Sequence, residues 1–216
     1  CKTFFINGGY GIKPMNDDVF TYLIGGKAGQ GTKKAGIVAA NFFSALKRNV
    51  FQMNDYPSLI RGGHNFSLVS TATRKIYSHY MKADLAVLLD QRSYTIHQSH
   101  LAENGVLIYD SATVKQGQGI GVPISSIAKK YTDPDLIVGV AGIAALVAAV
   151  GVDRTKLDGI IQNEYHRNVE DNLKFAYEIY DYVNEIIPHQ FMLGEGTETH
   201  PILTGAEAIG LGACAA

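Results

Sequence analysis

The sequence is poor in cysteine and nearly balanced in charge, and each shortage removes a class of function. Its 216 residues contain two cysteines, Cys1 and Cys214, at opposite ends and outside any CxxC pair. That argues against a disulfide framework, a structural zinc or an iron–sulfur cluster held by this chain, and it fits a reducing cytoplasm. With 19 Lys and Arg against 20 Asp and Glu, the formal net charge is -1. No electrostatic surface for nucleic acid is expected. No basic-then-apolar signal pattern opens the chain, and the first residue is not methionine, as at a processed, tagged or internally cut end. The longest apolar run, residues 136–152, is at the short limit for a membrane span and rich in Gly and Ala, so a buried helix is the better reading.

What is present is an ordinary globular composition, 46% apolar, long enough for one domain with a complete core or one domain plus part of another. Residues 19–24 form an apolar run of β-formers that enters the turn GGKAGQG. From Thr32 to Leu46, apolar residues recur at helical spacing. Strands are expected at 50–53, 66–71, 84–90, 104–110 and 122–124, with a short one at 76–79. Helices are expected at 92–103, 125–131, 136–150 and 169–187. Strands alternating with helices at these intervals predict an α/β chain: a Rossmann-like three-layer fold with a mostly parallel sheet and helices on both faces. Three segments follow: an extension at 1–17, the main domain at 18–190, and a linker with the start of another element at 191–216.

Two stretches carry chemistry. Strand, GGKAGQG, then helix is the arrangement that points backbone N–H groups and the positive end of a helix dipole at an anion. It departs from both common phosphate codes. Lys34 stands where a dinucleotide fingerprint needs its third glycine, and Thr32 and Lys33 are in the wrong order for a Walker loop. Lys27, Lys33 and Lys34 favour an anion, while a tight turn with close packing remains the alternative. The second stretch, DYPSLIRGGHN at 55–65, joins two expected strands. There Arg61 could present a bidentate fork while Gly62 and Gly63 allow close approach, or it could bridge to a neighbouring domain. His64 and Asn65 could bond a ligand or anchor the loop, Tyr56 and Pro57 set the loop's exit from the sheet, and Ser58 has no paired base. Asp90 and Asp110 stand at strand ends, where they serve a ligand or cap helices. Tyr177, Tyr180 and Tyr182 read as packing against a partner surface.

Taken together, GGKAGQGTKKAG and YPSLIRGGHNFSLVS resemble the gamma domain of the thiamine-dependent 2-oxoacid:ferredoxin oxidoreductases. Gly25, Gly26, Gly29, Gln30 and Gly31 match its first motif, with Ala28 for a commoner glycine. Tyr56, Pro57, Ser58, Arg61, Gly62 and Gly63 match its second. The resemblance covers residues 18–187. The tail LTGAEAIGLGACAA is similar to the start of the pyrimidine-binding domain that follows the gamma domain in fused alpha subunits, with Ala206 for asparagine.

The resemblance implies a part in oxidative decarboxylation of a 2-oxoacid with coenzyme A, giving acyl-CoA, carbon dioxide and reduced ferredoxin. Thiamine diphosphate, Mg and iron–sulfur clusters are then expected elsewhere in the complex, the chain alone is inactive, and its partners are the thiamine-binding subunit and, indirectly, ferredoxin. The expected coenzyme A contacts are Gly25, Gly26, Lys27, Gly29, Gln30, Gly31, Arg61, Gly62, Gly63 and Asn65, with His166, Arg167 and Asn172 as further carry-overs. No catalytic or metal-binding residue is expected. Two other readings stand beside this one: a free nucleotide-binding domain and a scaffold without a small ligand.

Overall fold

A computed structural model describes residues 18–55, 63–187 and 190–215. Their centre is a six-stranded sheet in the order β2-β3-β1-β4-β5-β6. The strands are β1 (Phe20–Lys27), β2 (Asn49–Asp55), β3 (His64–Ala72), β4 (Ala83–Leu88), β5 (Leu101–Asp110) and β6 (Ile120–Val122). β1, β4, β5 and β6 run parallel, and β3 is inserted antiparallel between β1 and β2. The sheet is thus mixed and mostly parallel, with helices on both faces, as the alternating pattern predicts.

The two faces are unequal. The period-2 alternation of β1 sends Phe20, Tyr22 and Ile24 into the larger core, which packs against α1 (Thr32–Ala45), α5 (Val140–Ala149) and α7 (Val169–Ile186). Leu23 faces the other way, into a smaller cluster with Leu68, Ala86, Leu88, Leu107 and Tyr94 of α2 (Gln91–His97). α5 is buried at all ten positions and residues 137–150 are core, whereas Leu136, at the head of the apolar run, is exposed. Among the described residues no helix is long and apolar enough to cross a membrane.

Several expected boundaries need correcting. β1 does not end at Ile24: it is paired with β4 as far as Gly25 and with β3 as far as Lys27, so both neighbours hold the glycines in the ladder. Residues 76–79 form no strand. The helix expected at 92–103 stops at His97, followed by one 3-10 turn, because 101–103 already belong to β5. The helix expected at 136–150 is two, α4 (Pro134–Ile137) and α5, interrupted where Gly139 packs on the glycine turn. α3 (Ile124–Ala128) is shorter than expected, and α6 (Lys156–Glu164), with Gly159 inside it, was not legible as a helix. Tyr177 and Tyr180 serve the chain itself: their hydroxyls donate to Asp158 and to the Val152 carbonyl, and only Tyr182 is exposed.

Residues 190–204 fold back over the domain. Phe191 enters the main core beside Phe20, and Arg48, buried at 2% exposure, donates to the carbonyls of Gly194 and Asp18. α8 (Gly205–Ala215) follows, opened by a reciprocal cap in which Thr204 Oγ1 accepts from the Glu207 amide and Glu207 accepts from the Thr204 amide.

Close packing of α1 on the sheet depends on Gly36, where a Cβ would lie 2.5 Å from Ser67 Cβ and 2.8 Å from Gln52 Nε2. Gly36→Ala should therefore lower the unfolding free energy by about 2 kcal/mol in urea titration, because overpacking outweighs the gain in helix propensity.

Candidate functional site

The glycine turn is assembled from backbone and one amide side chain. After Lys27 the chain turns through residues 28–31, with Gly29 at φ 99° and Gly31 at φ 73°, left-handed conformations that favour glycine. The turn is closed by Gln30: its backbone N–H donates to the Lys27 carbonyl at 3.1 Å, and its side-chain oxygen accepts from the Lys27 N–H at 2.7 Å. Gly26 makes room for that side chain, since a Cβ there would sit 2.6 Å from Gln30 Oε1. Gly25 lies beneath α2, where a Cβ would be 3.2 Å from Ser93 Cβ and 3.4 Å from the His97 ring. Gly31 caps α1 without a side-chain acceptor.

Antiparallel pairing brings the second motif to the same edge of the sheet. The register sets Gly25 opposite Phe66, Gly26 opposite Asn65 and Lys27 opposite His64. One step further, the Ala28 N–H donates to the Gly63 carbonyl at 2.9 Å, which joins the two glycine stretches directly. Asn65 Oδ1 is buried with no partner among the described residues. Tyr56, Pro57, Ser58, Arg61 and Gly62 lie outside the described residues.

The other side of the turn opens onto a cavity of about 330 Å³ that sequence reasoning did not foresee. Its wall combines Gly31 and Lys34 of α1, Leu136 and Gly139 of the α4–α5 break, and residues 164–168 between α6 and α7. His166, Arg167, Asn168 and Asn172 line it, so three residues noted near the last helix do meet the glycine turn. Asp133 (φ 53°) and Asn168 (φ 50°) are left-handed non-glycine residues joined by a 3.1 Å bond from Asn168 Nδ2 to Asp133. Such costly conformations persist where surrounding structure enforces them, often at ligand sites. The Asp-Pro pair at 133–134 was the readable signal, since Pro suits a first helical turn.

Charge in the cavity is mixed. Lys34 is not a free phosphate ligand: its ammonium lies 2.7 Å from Glu164 and 5.7 Å from the centre of the Tyr165 ring. Burial opposes ionisation of Glu164, but bonds from Lys34 and Asn41 outweigh it and hold the carboxyl below its usual range. Exposed Arg167 is a second cation among the lining residues, beside Gly31 at the head of α1 and Asn168 at the head of α7. Asp90 and Asp110, by contrast, act as helix caps: Asp90 accepts from the Ser93 N–H, and Asp110 from the Ser125 N–H.

With this geometry in hand, comparison with known proteins decides the family. Residues 21–182 match the model for pyruvate ferredoxin/flavodoxin oxidoreductase. The chain belongs to this family. It is 28% identical over 152 residues to the 2-oxoglutarate synthase subunit KorC of Archaeoglobus fulgidus, covering 70% of this chain and 81% of that protein. Its fold is shared with the gamma subunit of a Geobacter sulfurreducens keto/oxoacid ferredoxin oxidoreductase (TM-score 0.65, 22% identity, 76% of this chain and 96% of that one). It is shared too with a Magnetococcus marinus 2-oxoglutarate:ferredoxin oxidoreductase, solved with 2-oxoglutarate, coenzyme A and succinyl-CoA bound. That match has a TM-score of 0.77 at 18% identity and covers 92% of this chain but 37% of that one. These relatives are oxidoreductases or subunits of them, the family to which residues 21–182 of this chain belong.

If the Gln30 side chain closes the turn, Gln30→Ala should raise the exchange rate of the Lys27 amide by about 5-fold, the equivalent of one lost hydrogen bond near 1 kcal/mol, while amides of α5 keep their protection. Hydrogen exchange read by NMR measures both.

Proposed function

We propose that this chain is the gamma-type domain of a 2-oxoacid:ferredoxin oxidoreductase and that its glycine-turn edge holds the anionic, nucleotide end of coenzyme A. The observation that carries this reading is the convergence at one sheet edge of the glycine turn, Gly63 immediately before β3, and a cavity lined by Arg167 and by Gly31 and Asn168 at the N-terminal ends of two long helices. Helix dipoles and a guanidinium together favour phosphate oxygens. Gly29 borders open space, since a Cβ there would meet nothing within 4 Å, and Arg61 is assigned to the same ligand. A cavity of about 330 Å³ is at the small end for ligand sites, so it suits one end of the coenzyme rather than all of it.

The rest of the chemistry belongs to other domains or subunits. Thiamine diphosphate supplies the electron sink for decarboxylation, and iron–sulfur clusters carry the electrons to ferredoxin. Among the described residues there is one cysteine, exposed Cys214, and no group of three His, Cys, Asp or Glu side chains able to hold a metal, so these residues do not fit a cluster or a diphosphate-bound Mg. On this reading residues 18–190 are the working domain, residues 191–216 connect it to a following domain, and the thiamine-binding subunit is its partner in the cytoplasm.

Calorimetry on the full chain with coenzyme A, ATP and NAD tests the assignment. Coenzyme A should bind more tightly than NAD, and Arg167→Ala should weaken it about 10-fold, as expected for one charge-assisted phosphate contact. Tight NAD binding with none to coenzyme A would show a free dinucleotide domain. Unchanged coenzyme A affinity in Arg167→Ala would remove the cavity from the site.

A further inference from the structure

The α2 face of the sheet carries a second polar constellation, independent of the coenzyme reading. Ser93 Oγ lies 3.2 Å from His64 Nδ1, His64 Nε2 lies 2.8 Å from His97 Nε2, and His97 Nδ1 lies 3.0 Å from His100 Nδ1. These four side chains form one unbroken chain from the first turn of α2, across the start of β3, to the 3-10 turn that leads into β5. The central ring, His97, is 1% exposed, packed between the Phe66 ring and the backbone of Gly25.

Proton counting limits what this chain can hold. Each nitrogen–nitrogen link needs one hydrogen, so three neutral rings fit when all donate in one direction, from Ser93 toward His100 or the reverse. One added proton can be accommodated at either end. A second puts hydrogens on both nitrogens of a link, and that link must open. The surroundings give little compensation. From β1 and β4 the facing groups are Gly25 and Leu88, without charge. Asp90, at the head of α2, has one oxygen engaged by the Ser93 amide, Arg92 adds positive charge, and Asp55 at the end of β2 is exposed.

We propose that the Ser93–His64–His97–His100 chain is an acid-sensitive latch that fastens α2 and the start of β3 to each other and releases them on protonation. Because His64 pairs with Lys27 and Gly63 bonds to Ala28, release loosens the glycine turn as well. Burial, reinforced by His64 and His100, pushes His97 down to about 4 from its ordinary value, and burial also lowers His64 against the opposing pull of Asp90. Both folded-state values lie below those of the opened state. The latch is therefore strongest above about pH 6.5 and weakens as pH falls toward 4, where the folded rings also take protons.

Histidine 15N spectra and amide hydrogen exchange of the full chain between pH 7.5 and 4.5 test this, with no coenzyme present. We expect His97 to stay a single neutral tautomer throughout, and opening of α2 and the start of β3 to rise by on the order of 50-fold beyond the intrinsic pH effect while α5 and α7 stay protected. A His97 that titrates near its ordinary value overturns the proposal, and so does equal loss of protection in α2 and α5. His97→Gln keeps a donor and an acceptor but no titrating ring. It should reduce the pH dependence to within about 5-fold, whereas an unchanged dependence overturns the latch; the wild-type measurements decide even if that variant leaves α2 undocked.

Discussion

The arrangement of this protein depends on one antiparallel strand in an otherwise parallel sheet. A doubly wound sheet normally sends each strand's far end to a different connection, and only the first carries the glycine turn. Here β3 returns between β1 and β2, so its beginning lies beside the end of β1. The pairing continues past the strand ends as the bond from Ala28 to Gly63. Two glycine stretches more than thirty residues apart thus become one surface. Moving β3 by a single residue would reverse every side chain on it, sending Phe66 and Leu68 out of the α2 cluster and His64 away from His97. Register, core and site are fixed by the same ladder.

That constraint gives the glycines distinct tasks. Gly25 admits α2, Gly26 admits the Gln30 side chain, Gly29 and Gly31 turn the backbone, and Gly139 lets α4 and α5 approach Gly31. A motif that reads as a uniform anion cradle is therefore largely a packing joint. The cation Lys34, which the sequence places beside that motif, is held by Glu164 of α6. Arg167, more than a hundred residues away in sequence, lines the same cavity.

How much of this was legible in the sequence follows from the range of the interactions. Six of the seven expected strands, α1 and the buried 137–150 stretch were readable because apolar periodicity is local, whereas the strand expected at 76–79 does not form. The end of β1 was not, since two partner strands rather than the residues of β1 itself keep Gly25 to Lys27 extended. The division between α4 and α5 was hidden because it is imposed by contact with the glycine turn across the fold. α6 has few apolar residues and a glycine in its middle, and its buried Leu157 and Ile161 give too weak a pattern to recognise. Both glycine motifs were visible, but their juxtaposition, the cavity beside them and the histidine chain beneath them are products of topology.

The central claim is that the glycine-turn edge is where this oxidoreductase component meets coenzyme A. Amide chemical-shift mapping of the full chain titrated with coenzyme A tests it most directly. The account predicts the largest shifts at residues 28–34, 63–65 and 166–172, on both sides of the turn. Shifts absent there and concentrated elsewhere, such as the groove between β2 and residues 200–207, would contradict it.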